Sequence, residues 1–158
     1  MESVATVAAA FALAGGIVKA TATIAEVSIE LHDASDDINA IGKELQSLQA
    51  LLGPVSKGLA RFEAAEEETF AALLAQVKGT LGGALLVVEQ IETTLRGYKG
   101  GKAIWSKLKW IMFGNAQMRK LRMSLESYKV ALGIGLHVMS MYAHPPLSQL
   151  AFSSPEVY

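Results

Sequence analysis

Apolar positions along this chain recur at intervals of three and four in four long stretches, the spacing of one buried face of an α-helix. The first stretch covers roughly residues 3–31 and is rich in alanine, the strongest helix former. The second begins near Asp33, where Asp33, Ser35 and Asp36 suit an N-cap and first turn. Ile38, Ile41, Leu45, Leu48 and Leu52 form its stripe. Gly53-Pro54 predicts its end, with a short helical piece over Val55–Ala64 beyond.

The third stretch opens on Glu66-Glu67-Glu68, which suits a helix N-terminus, and carries a stripe from Phe70 to Leu95. Gly79, Gly82 and Gly83 each weaken that helix by about 1 kcal/mol relative to alanine, and predict a close helix contact or a bend. Gly97, Gly100 and Gly101 end it. A basic aromatic connector runs from Lys102 to Gly114, and Asn115 is placed to cap the fourth helix. Met118, Leu121, Leu125, Tyr128, Leu132, Leu136 and Met139 define the fourth stripe, which His144-Pro145-Pro146 closes. No stretch alternates at period two for long enough to make a sheet. The pattern predicts an all-α fold: an antiparallel helical bundle of four main helices with one or two short extra helices. Residues 1–144 form the bundle domain, and residues 145–158 a loosely ordered C-terminal tail.

The chain has 158 residues, the size of one domain, and half of them are apolar, enough for a real core. It lacks cysteine, which excludes disulfides, a thiol nucleophile and a cysteine zinc site. Charge is uneven. Residues 1–92 hold thirteen acids and five bases (−8), and residues 93–158 hold nine bases and two acids (+7). That asymmetry points to halves that attract each other, an acidic partner, or an anionic surface. Met1-Glu2 lacks the positive start of a signal peptide, so none is expected.

Three blocks follow one order and spacing: Ser3-Val4-Ala5 through Gly16-Ile17-Val18, the run Ile41 to Leu52, and Leu108-Lys109-Trp110 with Phe113 ahead of a basic amphipathic helix. Together they resemble the fungal HeLo-like N-terminal domain, over roughly residues 3–140. That domain heads many fungal NLR-type (STAND) receptors and some amyloid-controlled cell-death proteins. Ile111-Met112 is more apolar than the family pattern, and residues 1–158 show no nucleotide-binding domain, repeat array or amyloid motif. The resemblance implies a bundle acting in regulated cell death, in innate immunity or heterokaryon incompatibility. An upstream receptor or amyloid-type activator oligomerises it, self-association follows, and the N-terminal helix is released to permeabilise a membrane. It implies a cytoplasmic resting state and an activated state at the plasma membrane.

The residues bear on that implication in two places. Lys19 is the only charge between Glu2 and Glu26, and the segment is long enough to cross a bilayer. Ala8, Ala12, Gly16 and Ala20 recur every fourth position, a spacing that lets helices approach closely, though strict GxxxG is absent. The same alanines also suit an ordinary soluble core. We expect this helix to lie hidden in the resting bundle against the other three stripes, with Ala8, Phe11, Ala12, Leu13, Gly16, Ile17 and Val18 as packing and insertion residues. Lys19 would sit toward an interface. In the connector, Trp105, Lys107, Lys109 and Trp110 are candidates for contact with anionic lipid head groups. The competing reading is that both tryptophans plug the end of the bundle.

Other chemistry is weakly supported. Asp33 to Glu44 faintly matches a calcium loop, but Ile38 stands where glycine is required. His32, His137 and His144 lack ligand spacing, and no catalytic triad, paired carboxylates or phosphate-binding loop is visible. Arg119, Lys120, Arg122 and Lys129 read as a solvated face, or as partners for the acids of the third helix. No enzyme activity, cofactor, metal or nucleic-acid partner is expected. The alternative function is a non-enzymatic interaction bundle, an adaptor that never enters the membrane. A bundle enclosing a small apolar ligand is a third class, which nothing in the sequence selects.

Overall fold

The structure, a computed structural model, describes residues 2–30, 35–63, 68–99 and 108–143. These residues are all-α, with four helices: α1 (Glu2–Glu30), α2 (Ser35–Glu63), α3 (Glu68–Arg96) and α4 (Asn115–Ala143), each 29 residues long. The wide turn Trp110–Gly114 leads into α4. Asp33 and the 145–158 tail lie outside the described residues.

The core is built from repeats of three and four, the seam pattern of packed helices. On α1 it is Ala10, Leu13, Ile17, Ala20, Ile24 and Val27; on α3 it runs from Val77 through Leu81, Ala84, Val88 and Ile91 to Leu95. Ile38 to Leu52 are buried on α2 as the sequence stripe predicts, and Met118, Leu125, Leu132 and Met139 on α4. Tyr128 and Leu136 are partly buried against that core.

One sequence expectation fails at Pro54. Helix α2 does not stop at Gly53-Pro54 but runs through to Glu63, so Val55–Ala64 is not a separate short helix. Proline removes one backbone hydrogen bond and costs about 3 kcal/mol inside a helix. Val55, Leu59 and Phe62, all buried, continue the seam in register beyond it. Each such side chain gains roughly 1.5–3 kcal/mol on burial, so continuation wins.

Asn115 is likewise not a cap. Its backbone is helical (φ −61°, ψ −46°), and its N–H reaches back to the Trp110 carbonyl, five residues away. The chain therefore enters α4 through a widened π-type turn and not through a capped start.

Helix α1 packs on α2 and α3, and α4 packs on the same two helices, so α1 and α4 hold opposite corners. Directions follow from the contacts. Gly16 faces Leu85 and Val88, Thr23 bonds Glu92, and Glu26 pairs with Lys99, so α1 and α3 run parallel. Glu44 with Lys129, and Gly58 against Met139, make α2 and α4 parallel. Val77 by Gly135, Gly83 against Tyr128 and Thr94 with Gln117 make α3 and α4 antiparallel. Of the three glycines in α3, only Gly83 serves a close contact: a Cβ there would lie 2.6 Å from the Tyr128 ring, whereas Gly79 and Gly82 face open space.

Aromatic rings close both ends of the bundle. Phe70 stands edge-on to Phe62 (4.5 Å between centroids) and to Tyr142 (5.4 Å) at one end. Tyr98 stands edge-on to Trp110 (5.2 Å) at the other.

Candidate functional site

The apolar character of α1 is not confined to its core side. Leu13 and Ile17 are fully buried, but Phe11 is 71% exposed and Val18 60%, and Ala8, Ala12 and Gly15 also face outward. The expectation of a helix hidden on all sides is therefore not met. About a third of the span Thr6–Glu30 is buried, and α1 packs chiefly on two helices, α2 and α3. The physical reason is its corner position: a helix packed on two neighbours leaves one face to water. On an ordinary bundle helix that face is charged. Here it carries no charge from Ala8 to Val18.

Gly16 lies tight against α3, since a Cβ on it would lie 2.9 Å from Leu85 Cδ1. The fourfold-spaced row thus divides: Ala20 is core, Gly16 meets α3, and Ala8 and Ala12 face outward. Toward its C-terminus, α1 is tied to α3 by polar contacts. Thr23 Oγ1 lies 3.2 Å from both the Lys19 carbonyl and Glu92 Oε1. Glu92 is buried and also pairs with Arg96, one turn on. Glu26 pairs with Lys99 at the surface, a contact worth little by itself. The docking of α1 is therefore apolar along its length, from Ala10 to Val27, with polar contacts to α3 added toward its C-terminus.

Two helices are long and apolar enough to cross a membrane by length and composition, Thr6–Glu30 in α1 and Phe70–Arg96 in α3. They are neighbours and parallel. Helix α3 adds the exposed Leu86 (62%) and the open Gly79 and Gly82 to the outer surface of the pair. Sequence reasoning named α1 alone. The signal for α3 was its near-absence of charge from Thr69 to Val88, where Lys78 is the one charged residue.

At the connector, Trp110 is 3% exposed and packs against Tyr98 and Gly114, where a Cβ would lie 2.6 Å from the indole ring. In this conformation it is the end plug of the competing reading. Lys109 is exposed, with Nζ 6.0 Å from the centroid of the Tyr98 ring. Burial pushes the Tyr98 phenol above its ordinary pKa. The exposed apolar side chains near Lys109 are Leu108 (47%), Met112 (65%) and Phe113 (62%), the last two turned outward where the wide turn turns Trp110 inward. Trp105 and Lys107 lie outside the described residues.

Lys129 pairs with Glu44 of α2 at 2.6 Å, half-hidden between the helices, and not with the acids of α3. Arg119, Lys120 and Arg122 are exposed. Among the described residues no group of His, Asp and Glu could hold a metal ion.

A scan of protein-family models, a search of curated proteins and a search of solved structures each found no match to this chain.

Proposed function

We propose that this chain is a membrane-targeting effector domain of the HeLo-like kind, an antiparallel-hairpin helical bundle acting in regulated cell death. The observation that carries the reading is the uncharged outer face of α1, Ala8 to Val18, on a helix of membrane-crossing length. A soluble bundle gains nothing from presenting Phe11 and Val18 to water, whereas a lipid surface rewards it. Thr6–Glu30 would reach about 37 Å as a helix, enough for a hydrocarbon layer of about 30 Å.

On this reading α1 engages lipid first with its outer face, then leaves Leu13 and Ile17 behind as it inserts, with Ala8, Ala12 and Gly16 providing close helix contacts. Lys109, with Lys107, supplies attraction to anionic head groups, and Met112 and Phe113 supply the apolar contact beside them. Self-association driven by an upstream receptor or amyloid-type activator, and movement from cytoplasm to plasma membrane, complete the proposal.

Leakage of a trapped dye from vesicles containing phosphatidylserine tests it. Phe11→Glu with Val18→Glu changes only exposed positions, so the fold should persist by circular dichroism while leakage falls at least tenfold. Equal leakage from both proteins, or none from either, refutes the reading.

The second reading is a non-enzymatic adaptor, favoured by the exposed Arg119, Lys120 and Arg122 on α4. It predicts no leakage, and loss of partner binding when those charges are reversed.

A further inference from the structure

Between α2 and α4, near the end closed by the Phe62, Phe70 and Tyr142 rings, the surface of the bundle opens into a cleft of about 190 Å³. Its walls are mainly apolar. Phe62 and Met139 are buried at its base, and Gly58 and Leu136 are half-buried beside them. Met139 closes tightly on α2, since a Cβ on Gly58 would lie 3.2 Å from Met139 Cε and 3.3 Å from its Sδ.

The rim carries charge of one sign. Lys57 and Arg61 border the cleft, four residues apart on α2, and both are exposed. Neither pairs with an acid among the described residues. No Asp or Glu stands three or four positions from either, and Glu63, two positions after Arg61, lies on the opposite side of the helix. Residues 132–143 of α4, which include the facing wall, hold no acid. Elsewhere on the bundle bases do meet acids, Lys129 with Glu44 and Lys99 with Glu26. Two cations four apart on a helix repel each other, and no described side chain offsets that repulsion here.

An apolar cleft with a few charged groups at its mouth is the build of a small-molecule site. We propose that it binds a small amphiphilic carboxylate, an aromatic ring on a short chain that ends in the acid. Size sets the apolar part, because a cavity of about 150 Å³ takes one benzene ring, and this cleft holds a ring and little more. The thioether of Met139 and the ring of Phe62 both favour an aromatic partner. Arg61 offers a planar fork that matches a carboxylate, and Lys57 adds a second positive charge. A neutral ligand leaves the two cations unpaired, and a cationic ligand is repelled. The cleft lies on the α2–α4 seam, away from the outer face of α1, so its role is separate from the membrane reading.

The test uses the full chain in lipid-free buffer, with isotope-labelled methionine methyls followed by NMR. Three ligands of one shape are titrated: phenylpropanoate, phenylpropanol and phenylpropylammonium. The Met139 methyl, assigned by its loss in Met139→Leu, should shift saturably with phenylpropanoate, with a Kd of roughly 1–10 mM for a ligand of this size. Met123, exposed and about 24 Å away along α4, should not move. The alcohol should bind about fivefold more weakly than the acid, and the ammonium should give no saturable shift. Lys57→Gln combined with Arg61→Gln changes only exposed positions. It should weaken the acid by about fivefold and leave the alcohol unchanged, a difference that a merely structural role for these cations would not produce. No saturable shift at Met139, equal affinity for acid and alcohol, or equal loss of both in the double variant overturns the proposal. No lipid is present, so these results are independent of vesicle leakage.

Discussion

Adjacent residues on α1 should respond to truncation in opposite ways. Ile17 is 0% exposed at the centre of the helix, and its neighbour Val18 is 60% exposed. Ile17→Ala removes buried methyl and methylene groups beside Gly16, where α1 packs tightly on α3, and leaves a cavity that the surrounding helices fill only in part. Such changes cost roughly 2–5 kcal/mol, and the better helix propensity of alanine returns a few tenths. A net loss of about 3 kcal/mol corresponds to a hundredfold or greater rise in the unfolded fraction at equilibrium. For a domain of this size it lowers Tm by roughly 6–12 °C. Val18→Ala removes atoms that already face water, and should stay within about 0.5 kcal/mol of the parent. The assay is urea unfolding followed by circular dichroism, at a dilution where the protein is monomeric. Both variants should keep the parent slope. A loss below about 1 kcal/mol for I17A, or a loss for V18A that matches it, would refute the assignment of the inner and outer faces of α1.

Two further outcomes follow from the fold. Pro54→Ala restores the backbone donor missing from the middle of α2, and should raise stability by about 1–3 kcal/mol with the helix content unchanged; a loss of stability would show that the proline shapes a bend the bundle needs. Tyr98 has a raised pKa through burial, so its stabilising effect is complete below about pH 10, the unfolded value, and is lost as pH rises through the folded value. Tyr98→Phe should flatten that part of the alkaline decline in unfolding free energy, and an unchanged slope would place the phenol in water.

Much of the architecture was legible in the residues. The heptad-like spacing of Ile38 to Leu52 and of Met118 to Met139 marked the buried seams, because a half-buried helix must separate apolar from polar positions. Where that separation is absent, the residues do not show which face is buried. Helix α1 is apolar nearly all round, so its sequence does not distinguish Ile17, in the core, from Val18, in water. At Pro54 the local backbone cost points to a stop, and the burial of Val55, Leu59 and Phe62 beyond it outweighs that cost. Trp110 and Phe113 sit three apart in one aromatic connector, and only the widened turn decides which points inward. The parallel pairing of α1 with α3 depends on which helices become neighbours, a tertiary choice that short connections alone do not dictate.

The placement of α1 at a corner has a consequence for what survives its departure. The remaining three helices stay joined through α4, which touches both α2 and α3 along its length. Lifting α1 away therefore removes one corner of a quadrilateral and its two sides, and leaves the α2–α4 and α3–α4 sides uncut. A molecule that gave up its first helix would keep both of these seams, with the flanks of α2 and α3 that had faced α1 uncovered.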